Sequence, residues 1–264
     1  MNKRKKKITI LIMLGMLSLI FTACGESKKS NYQKILNKKE MTFAMTAAYP
    51  PFNFKDENGN LAGFDIDIAN AIAEKMGVKA NPITTEWNGL IPGLKGNRFD
   101  MVIGSMAITE DRLKEVDFSN PYYYDGAQFF SKKNSGFKSI QDIKDGKVGV
   151  VTGTTFHNSL QKMDNIKEIL QFESDVDNMK ALEQGRSDGL VTGKWVGVFG
   201  AKKFGINIEP VGGFIYKETI GIAMKKGEKD LVEAVNKALK EIIEDGTYEE
   251  ISEKWFNTNL LKTN

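Results

Sequence analysis

From residue 41 onward, short β-like runs alternate with amphipathic helical segments along nearly the whole chain. The helix predicted over 65–76 gathers its apolar residues on one face, and we expect Asp65 to cap its start and Gly77 to end it. Such alternation predicts parallel, doubly wound sheets in an α/β fold. The predicted strands span 41–46, 78–84, 100–105, 147–152, 168–172, 189–192, 206–211 and 219–225.

The two halves of the chain also echo each other. Residues 94–103 align without gaps on residues 182–191, and upstream 43–47 align on 149–153. The repeat predicts two similar lobes, which we expect to comprise residues 39–129 plus 222–264 and residues 130–221. The chain leaves the first lobe near 127–132 and returns near 220–225, so the two crossings predict a hinge.

In open α/β sheets, ligands bind beyond the carboxyl ends of the strands. Those ends are predicted at 46–49 and 105–107 in one lobe and at 153–155 and 192–194 in the other. Facing lobes would point all four loops into one cleft, which is a usual place for a small-molecule site.

The N-terminus has the proportions of a secretion signal. A basic run, Lys3 to Lys7, precedes an apolar stretch over 8–21 that is too short for a comfortable bilayer span, and the chain's single cysteine, Cys24, follows. This junction resembles the bacterial lipobox, with Phe21 where leucine is usual, and implies a signal peptide over 1–23 and lipidation of Cys24. The alternatives are an uncleaved anchor or a buried thiol. Residues 24–38 are predicted to form a flexible tether, and one cysteine excludes an intramolecular disulfide.

The net charge of +3 results from the basic residues of the predicted signal region. Removing residues 1–23 takes away five of the 37 basic residues and none of the 34 acidic ones, which leaves a weakly acidic chain. Without basic tracts, we expect no nucleic-acid partner.

A series of motifs then follows in a familiar order. It comprises YPPF at 49–52, GFDID at 63–67, WNGLIP at 87–92, ITEDR at 108–112 and VDFSNPY at 116–122. The series resembles the polar amino-acid receptors of ABC transporters, which have the type II periplasmic-binding-protein fold.

That resemblance implies two doubly wound sheets joined by a two-stranded hinge, over about residues 40–257. It implies a monomeric solute-binding lipoprotein at the extracytoplasmic face of the cell membrane, held by Cys24. Its ligand would be a small carboxylate-bearing solute, an amino acid or derivative, delivered to an ABC permease. We expect no enzymatic activity, no cofactor and no metal.

Arg112 carries the strongest site prediction, since the family's matching arginine holds the ligand carboxylate and a guanidinium fork suits that geometry. The alternative is a surface arginine in an acidic cluster. Thr154 and Thr155 match a turn whose backbone N–H groups face the same carboxylate, although Thr154 could simply cap a helix.

The remaining predicted ligand contacts come from one loop and two aromatic rings. Ser105, Met106 and Ala107 match the first-lobe binding loop, with Ala107 where a hydroxyl residue is usual. Tyr49 and Trp87 match aromatics that sandwich the ligand side chain, although a tryptophan is by composition more often part of the core.

Gly193 is the sharpest departure from the family, whose receptors keep there an aspartate for the ligand ammonium. An unpaired buried ammonium is unfavourable. Gly193 therefore predicts a ligand without a free α-amine or a rebuilt cleft, and we expect Gly193→Asp to create or strengthen binding of ordinary amino acids.

Two other functions stay open. A sensory module would need a separate signalling partner. A cyclohexadienyl-dehydratase-like enzyme would need a desolvated carboxylic acid as proton donor, which Gly193 does not supply. The single histidine, His157, has no second histidine to form a metal pair and is expected to be a solvated helix residue.

Overall fold

The computed structural model describes residues 30–262, so the predicted signal peptide and Cys24 lie outside the described residues. The tether prediction over 24–38 is wrong for its last part. Asn31–Lys38 forms a helix, because Ile35 supplies an apolar anchor that is only 1% exposed. The Asn31 side chain also donates to Asp100 Oδ1 at 3.1 Å.

The described chain is a mixed α/β structure with short connections. The strands are β1 (Glu40–Met45), β2 (Ala48–Tyr49), β3 (Asn53–Lys55), β4 (Leu61–Ala62), β5 (Lys79–Thr84), β6 (Met101–Ala107), β7 (Val116–Phe118), β8 (Tyr123–Lys132), β9 (Gly146–Val151), β10 (Ile166–Phe172), β11 (Gly189–Gly193) and β12 (Ile208–Lys225). The helices are α1 (Asn31–Lys38), α2 (Phe64–Lys75), α3 (Leu90–Lys95), α4 (Glu110–Glu115), α5 (Thr155–Leu160), α6 (Asp175–Glu183), α7 (Lys194–Phe204), α8 (Lys229–Glu244) and α9 (Thr247–Phe256).

The main sheet joins two similar halves. Its hydrogen-bonded order is β10-β9-β11-β8-β12-β6-β1-β5, with β7 beside β12. In the first lobe β1 lies between the parallel strands β5 and β6, and in the second β9 lies between the parallel strands β10 and β11. This arrangement confirms the predicted two-lobed α/β fold.

Two long antiparallel strands, β8 and β12, connect the lobes and form the hinge. Their register pairs Tyr123 with Ile220 and Asp125 with Glu218. The strands predicted separately at 206–211 and 219–225 therefore belong to one strand. The Gly212-Gly213 pair lies at a register shift between Val211 and Tyr216. Gly212 has φ +68°, so a glycine bulge bends the strand without ending it.

The repeat has a direct structural counterpart in its two aspartates. Asp100 Oδ2 accepts from the Thr42 backbone N–H at 2.8 Å, and Asp188 Oδ2 accepts from the Lys147 backbone N–H at 2.8 Å. Each aspartate ties the start of one strand to the central strand of its lobe.

The upstream part of the repeat alignment is shifted by one residue at its start. Phe43 lies beside Met101 and Val148 beside Gly189, so Phe43 corresponds to Val148 and not to Gly149. An alignment of five residues without gaps cannot detect that the two central strands, β1 and β9, differ in register by one residue.

The α2 helix ends as predicted and begins differently. Gly77 (φ +69°) donates to Glu74 O and Val78 donates to Ala73 O, which is the Schellman arrangement that glycine permits. Asp65 is not the cap, because the N-cap residue is Gly63. The Asp65 carboxyl is instead fully buried and accepts a hydrogen bond from Ser105, which lines the cleft.

The core lies on both faces of the sheet. The largest buried cluster packs α2, α8 and α9 on the first-lobe strands and continues through Phe130 into Leu190 and Val196 of the second lobe. Within residues 30–262, none of the helices has the length and apolar character needed to cross a bilayer.

Candidate ligand-binding cleft

A cleft opens between the lobes at the carboxyl ends of their strands. It encloses about 560 Å³ of space outside the protein atoms, including its mouth. Of the nine residues predicted to bind ligand, seven line it, namely Tyr49, Trp87, Ser105, Ala107, Arg112, Thr154 and Thr155.

Arg112 is held at the first-lobe wall of the cleft. It lies in the first turn of α4, and its backbone N–H donates to the capping Thr109 hydroxyl at 3.2 Å. One guanidinium N–H donates to the Ala107 carbonyl at 2.9 Å, and the guanidinium carbon lies 5.3 Å from the Trp87 ring centre. Burial lowers the pKa of Arg112, while the negative charge of Glu218 opposes that change. The remaining donors are available to an anion.

Ser105 is positioned by a buried network behind the first-lobe edge. Ser105 has φ +59° near the end of β6. Its backbone N–H donates to the Tyr122 hydroxyl at 3.0 Å, and its own hydroxyl donates to Asp65 Oδ2 at 2.9 Å. Asp65 also accepts from Asn53 at 2.7 Å and from the Tyr122 hydroxyl at 2.7 Å. The Ser105 hydroxyl can therefore only accept from a ligand.

Two predicted site residues do not line the cleft. Met106 is 1% exposed and packs in a core cluster behind the sheet, since successive strand residues face opposite sides. Gly193 is buried beneath the cleft floor. A Cβ added there would lie 2.7 Å from the Tyr49 hydroxyl and 2.8 Å from Asp125 Oδ2. The space of a side chain at 193 is thus already occupied.

Thr154 and Thr155 lie at the start of α5. The Thr154 hydroxyl caps the helix by accepting from the His157 backbone N–H at 3.1 Å, so the capping interpretation of this residue holds. The Thr155 hydroxyl donates to Glu218 Oε1. His157 is 9% exposed and not solvated, and its Nδ1 accepts from the Gly153 backbone N–H at 3.4 Å.

Acidic groups are the main feature that sequence reasoning missed. Asp175, Glu218 and Glu173 line the cleft, and Asp125 lies just beneath it against Gly193. Burial raises the pKa of Asp175 to about 7 and that of Asp125 to about 7. It also raises the pKa of Glu218, an effect that Thr155 and Arg112 oppose. The cleft therefore carries more acidic than basic groups.

Two of these acids, Glu173 and Asp175, had a usable signal in the sequence. Residues 173–175 directly follow the predicted strand 168–172, so the strand-end rule would have selected them had it been applied to every strand. Glu218 and Asp125 had no such signal, since they lie inside the hinge strands. Only the register that sets them opposite each other places them at the cleft.

The aromatic residues bring the lobes into contact. Trp87 Nε1 of the first lobe donates to the Gly153 carbonyl of the second at 3.0 Å. The Tyr49 side chain reaches the second lobe, where burial and the charges of Asp175, Asp125 and Glu218 raise its pKa. Phe156 lines the same cavity. The structure is thus in a closed arrangement with rings around the cavity.

Metal chemistry has no support in the part of the chain that the structure describes. There, no group of three or more histidine, cysteine, aspartate or glutamate side chains could hold an ion.

The fold and the cleft together define a type II solute-binding protein, with two α/β lobes, a two-stranded hinge and a charged cavity between them. The chain belongs to the bacterial extracellular solute-binding proteins, family 3, whose model matches residues 41–258.

Named relatives and solved structures agree with this family. The L-cystine-binding protein TcyJ of Escherichia coli (strain K12) is 32% identical over 95% of this chain and 96% of its own length. An ancestral arginine-binding protein bound to arginine shares 42% identity with a TM-score of 0.79, over 83% of this chain and 98% of that one. The ancestral amino acid-binding protein AncCDT-1, described as a precursor of cyclohexadienyl dehydratase, shares 37% identity with a TM-score of 0.81, over 86% of this chain and 100% of that one.

Proposed function

We propose that the protein captures an amino acid outside the cytoplasm and delivers it to an ABC importer, without changing it chemically. The observation that carries this proposal is the pairing of opposite charges in one enclosed cavity. Arg112 lies on its first-lobe side, and the carboxyl groups of Asp175 and Glu218 line the same cavity. A zwitterion would meet complementary partners at both of its ends. The cystine- and arginine-binding names of the relatives are consistent with this ligand class.

Arg112 would hold the ligand carboxylate. Its guanidinium is oriented by Trp87 and the Ala107 carbonyl, so little rotamer freedom is lost when a bidentate pair forms. The alternative partner, Glu218, is engaged by the Thr155 hydroxyl and forms no ion pair with Arg112 among the described residues. Arg112 thus remains able to receive a ligand.

The charge of the cleft favours a ligand with net positive charge. Three carboxyl groups line the cavity against one guanidinium, and Tyr49, Trp87 and Phe156 offer ring faces that attract cations. An amino acid with a cationic side chain would satisfy both features. Of the two alternatives drawn from Gly193, these features support a rebuilt cleft and not a ligand without a free α-amine.

The mature protein would be a lipid-anchored monomer that works with a membrane permease. The support is the junction at Cys24 together with the extracellular family. In labelling with a radioactive fatty acid, wild type should carry the label and Cys24→Ser should not. Equal labelling of the two would contradict the anchor.

Binding can be tested by thermal shift followed by calorimetry. The panel would comprise L-arginine, L-lysine, L-glutamine, L-histidine and L-cystine. At a hundredfold excess over Kd a ligand stabilises by about 2.7 kcal/mol, so a true ligand should raise Tm by several degrees. We expect the cationic members to give the largest shift. No shift with any amino acid would refute the proposed function.

A dehydratase is the second candidate, favoured by one observation. The structure supplies the desolvated acid that sequence analysis did not find, since Asp175 is 6% exposed in the cleft and burial raises its pKa to about 7. Such a group can donate a proton at neutral pH. Incubation with a cyclohexadienyl carboxylate, followed by ultraviolet detection of an aromatic product, would distinguish this activity from passive binding.

A further inference from the structure

Asp175 is a buried carboxyl group that faces the ligand cavity without a counter-ion. It is the first residue of α6 and is 6% exposed. Among residues 30–262 it forms no ion pair and no side-chain hydrogen bond of good geometry. The Thr192 hydroxyl is the polar group beside it that favours its charged form, yet that hydroxyl lies outside hydrogen-bonding geometry.

The other two acids at the cleft, Glu218 and Asp125, have polar partners in the fold, although Asp125 Oδ1 has none among the described residues and Asp125 lies beneath the cavity without lining it. Glu218 accepts from the Thr155 hydroxyl and faces the charge of Arg112. Asp125 is stabilised by the backbone N–H groups of Gly126 and Lys194 and by the Lys194 charge. A carboxyl group buried without such partners is strongly unfavourable in its ionised form. Asp175 is therefore the group that gains most from a cation in the cavity.

The surroundings of Asp175 suit an ammonium group in particular. The cavity also presents the Ser105 hydroxyl, which is free only to accept because its proton is donated to Asp65. An ammonium has three donors and no acceptor, so it can use a carboxylate and a hydroxyl oxygen together. The space at Gly193 cannot supply this partner, since Tyr49 and Asp125 fill it.

We propose that Asp175 is the specificity-determining counter-ion for the ligand's α-ammonium and restores at the end of β10 the acidic group that position 193 lacks. This inference rests on the proposed function, because it needs an amino-acid ligand whose carboxylate is held elsewhere. It makes recognition bipolar, with the carboxylate held by Arg112 of the first lobe and the charge of the ammonium balanced by Asp175 of the second. Closure would then be stabilised only by a ligand that carries both charges.

The test pairs each amino acid with its analogue that lacks the α-amine. Calorimetry would measure L-arginine against 5-guanidinopentanoate and L-glutamine against glutaramate, on wild type and Asp175→Asn. Wild type should prefer the amino acid, and Asp175→Asn should weaken amino-acid binding by roughly 30-fold or more. The same variant should leave the analogue's affinity within about threefold, so the preference collapses.

Asp177→Asn is the matched control, since it makes the same substitution at an exposed carboxyl group two residues further along α6 that does not line the cavity. It should leave the preference intact. Circular dichroism and thermal unfolding of Asp175→Asn would verify the fold.

The possible failures are distinguishable. If wild type binds none of the amino acids, the proposed function falls and this inference with it. If wild type binds an amino acid and Asp175→Asn keeps both affinity and preference, Asp175 is not the counter-ion while the proposed function stands.

Discussion

Each side of the cleft contains a buried carboxyl group, but within residues 30–262 only the one on the first lobe has hydrogen-bond partners. On the first lobe, Asp65 is fully buried and accepts three hydrogen bonds, from Asn53, Ser105 and Tyr122. On the second, Asp175 is almost as buried and accepts none of good geometry from the described residues. Burial raises the pKa of Asp65 to about 6, with the three bonds opposing the rise, and raises that of Asp175 to about 7.

The difference shows that the first-lobe side of the binding site is complete before a ligand binds, whereas the second-lobe side is not. The Asp65 network lies within one lobe and holds the Ser105 loop at φ +59° regardless of closure. On the second-lobe side of the described structure Asp175 lacks a partner, and the buried oxygens Asp125 Oδ1 and Thr192 Oγ1 form no hydrogen bond there. Closing an empty cleft around these groups is therefore unfavourable, and a cationic ligand removes the penalty.

Removing the first-lobe cation should have the largest effect on binding. Truncating one partner of a buried charge pair costs about 2–5 kcal/mol, so Arg112→Ala should weaken binding of L-arginine, or the tightest ligand of the panel, by roughly 30- to several-thousand-fold. Arg98→Ala, which changes an exposed arginine of the same lobe, is the control for calorimetry. A loss below about threefold would return Arg112 to the surface-cluster interpretation.

Breaking the satisfied network should destabilise the fold itself. In Asp65→Asn, an amide replaces an acceptor that three donors share, and hydrogen bonds to charged groups contribute about 1.5–3 kcal/mol each. We expect the free energy of unfolding to fall by about 2–4 kcal/mol in urea denaturation. An unchanged midpoint would show that the Asp65 network does not hold the first-lobe edge.

Filling the space at position 193 should be unfavourable, contrary to the sequence-based expectation. In Gly193→Asp the new Cβ meets the Tyr49 hydroxyl and Asp125, and the added carboxylate faces a like charge. Overpacking costs about 1–3 kcal/mol, so Tm should fall and amino-acid binding should weaken. Gly193→Ala separates the steric part. Tighter amino-acid binding by Gly193→Asp would restore the original interpretation.

Neutralising the unpartnered acid should stabilise the ligand-free protein. Because the folded pKa of Asp175 is raised from 3.8 to about 7, the native state holds more protons between these pH values, and its stability falls as pH rises through them. The penalty is complete above about pH 7 and absent below about pH 4.

Asp175→Asn should therefore be more stable than wild type at pH 8, by about 1–2 kcal/mol or a few degrees in Tm. This gain in unfolding free energy is smaller than the full pKa shift of Asp175 would give, because the carboxylate is hydrated when the lobes open. The advantage should vanish near pH 4, where both side chains are neutral. An advantage that persists unchanged at pH 4 would attribute the effect to packing and not to charge.

Local patterns predicted most of the fold because the information is local. The alternation of strands and helices, the Gly77 stop and the 94–103 and 182–191 repeat all depend on neighbouring residues, and the structure confirms them. The errors arose where long-range packing determines the local structure. For example, burial of Ile35 stabilises a helix in part of the predicted tether. The strands predicted separately at 206–211 and 219–225 likewise form one strand with a bulge at Gly212, because β12 pairs with nearly the whole length of β8.

The site divides in the same way. The ordered motifs by themselves determined the family and placed seven residues in one cleft, because loops at strand ends converge wherever the strands run parallel. Only the tertiary structure decided the cleft's charge. The hinge register sets Asp125 opposite Glu218, and Asp175 is buried in a cavity that both lobes line. The space beside Gly193 is occupied by neighbours distant in sequence. Burial and electrostatic partners are properties of the assembled chain, and no local pattern encodes them.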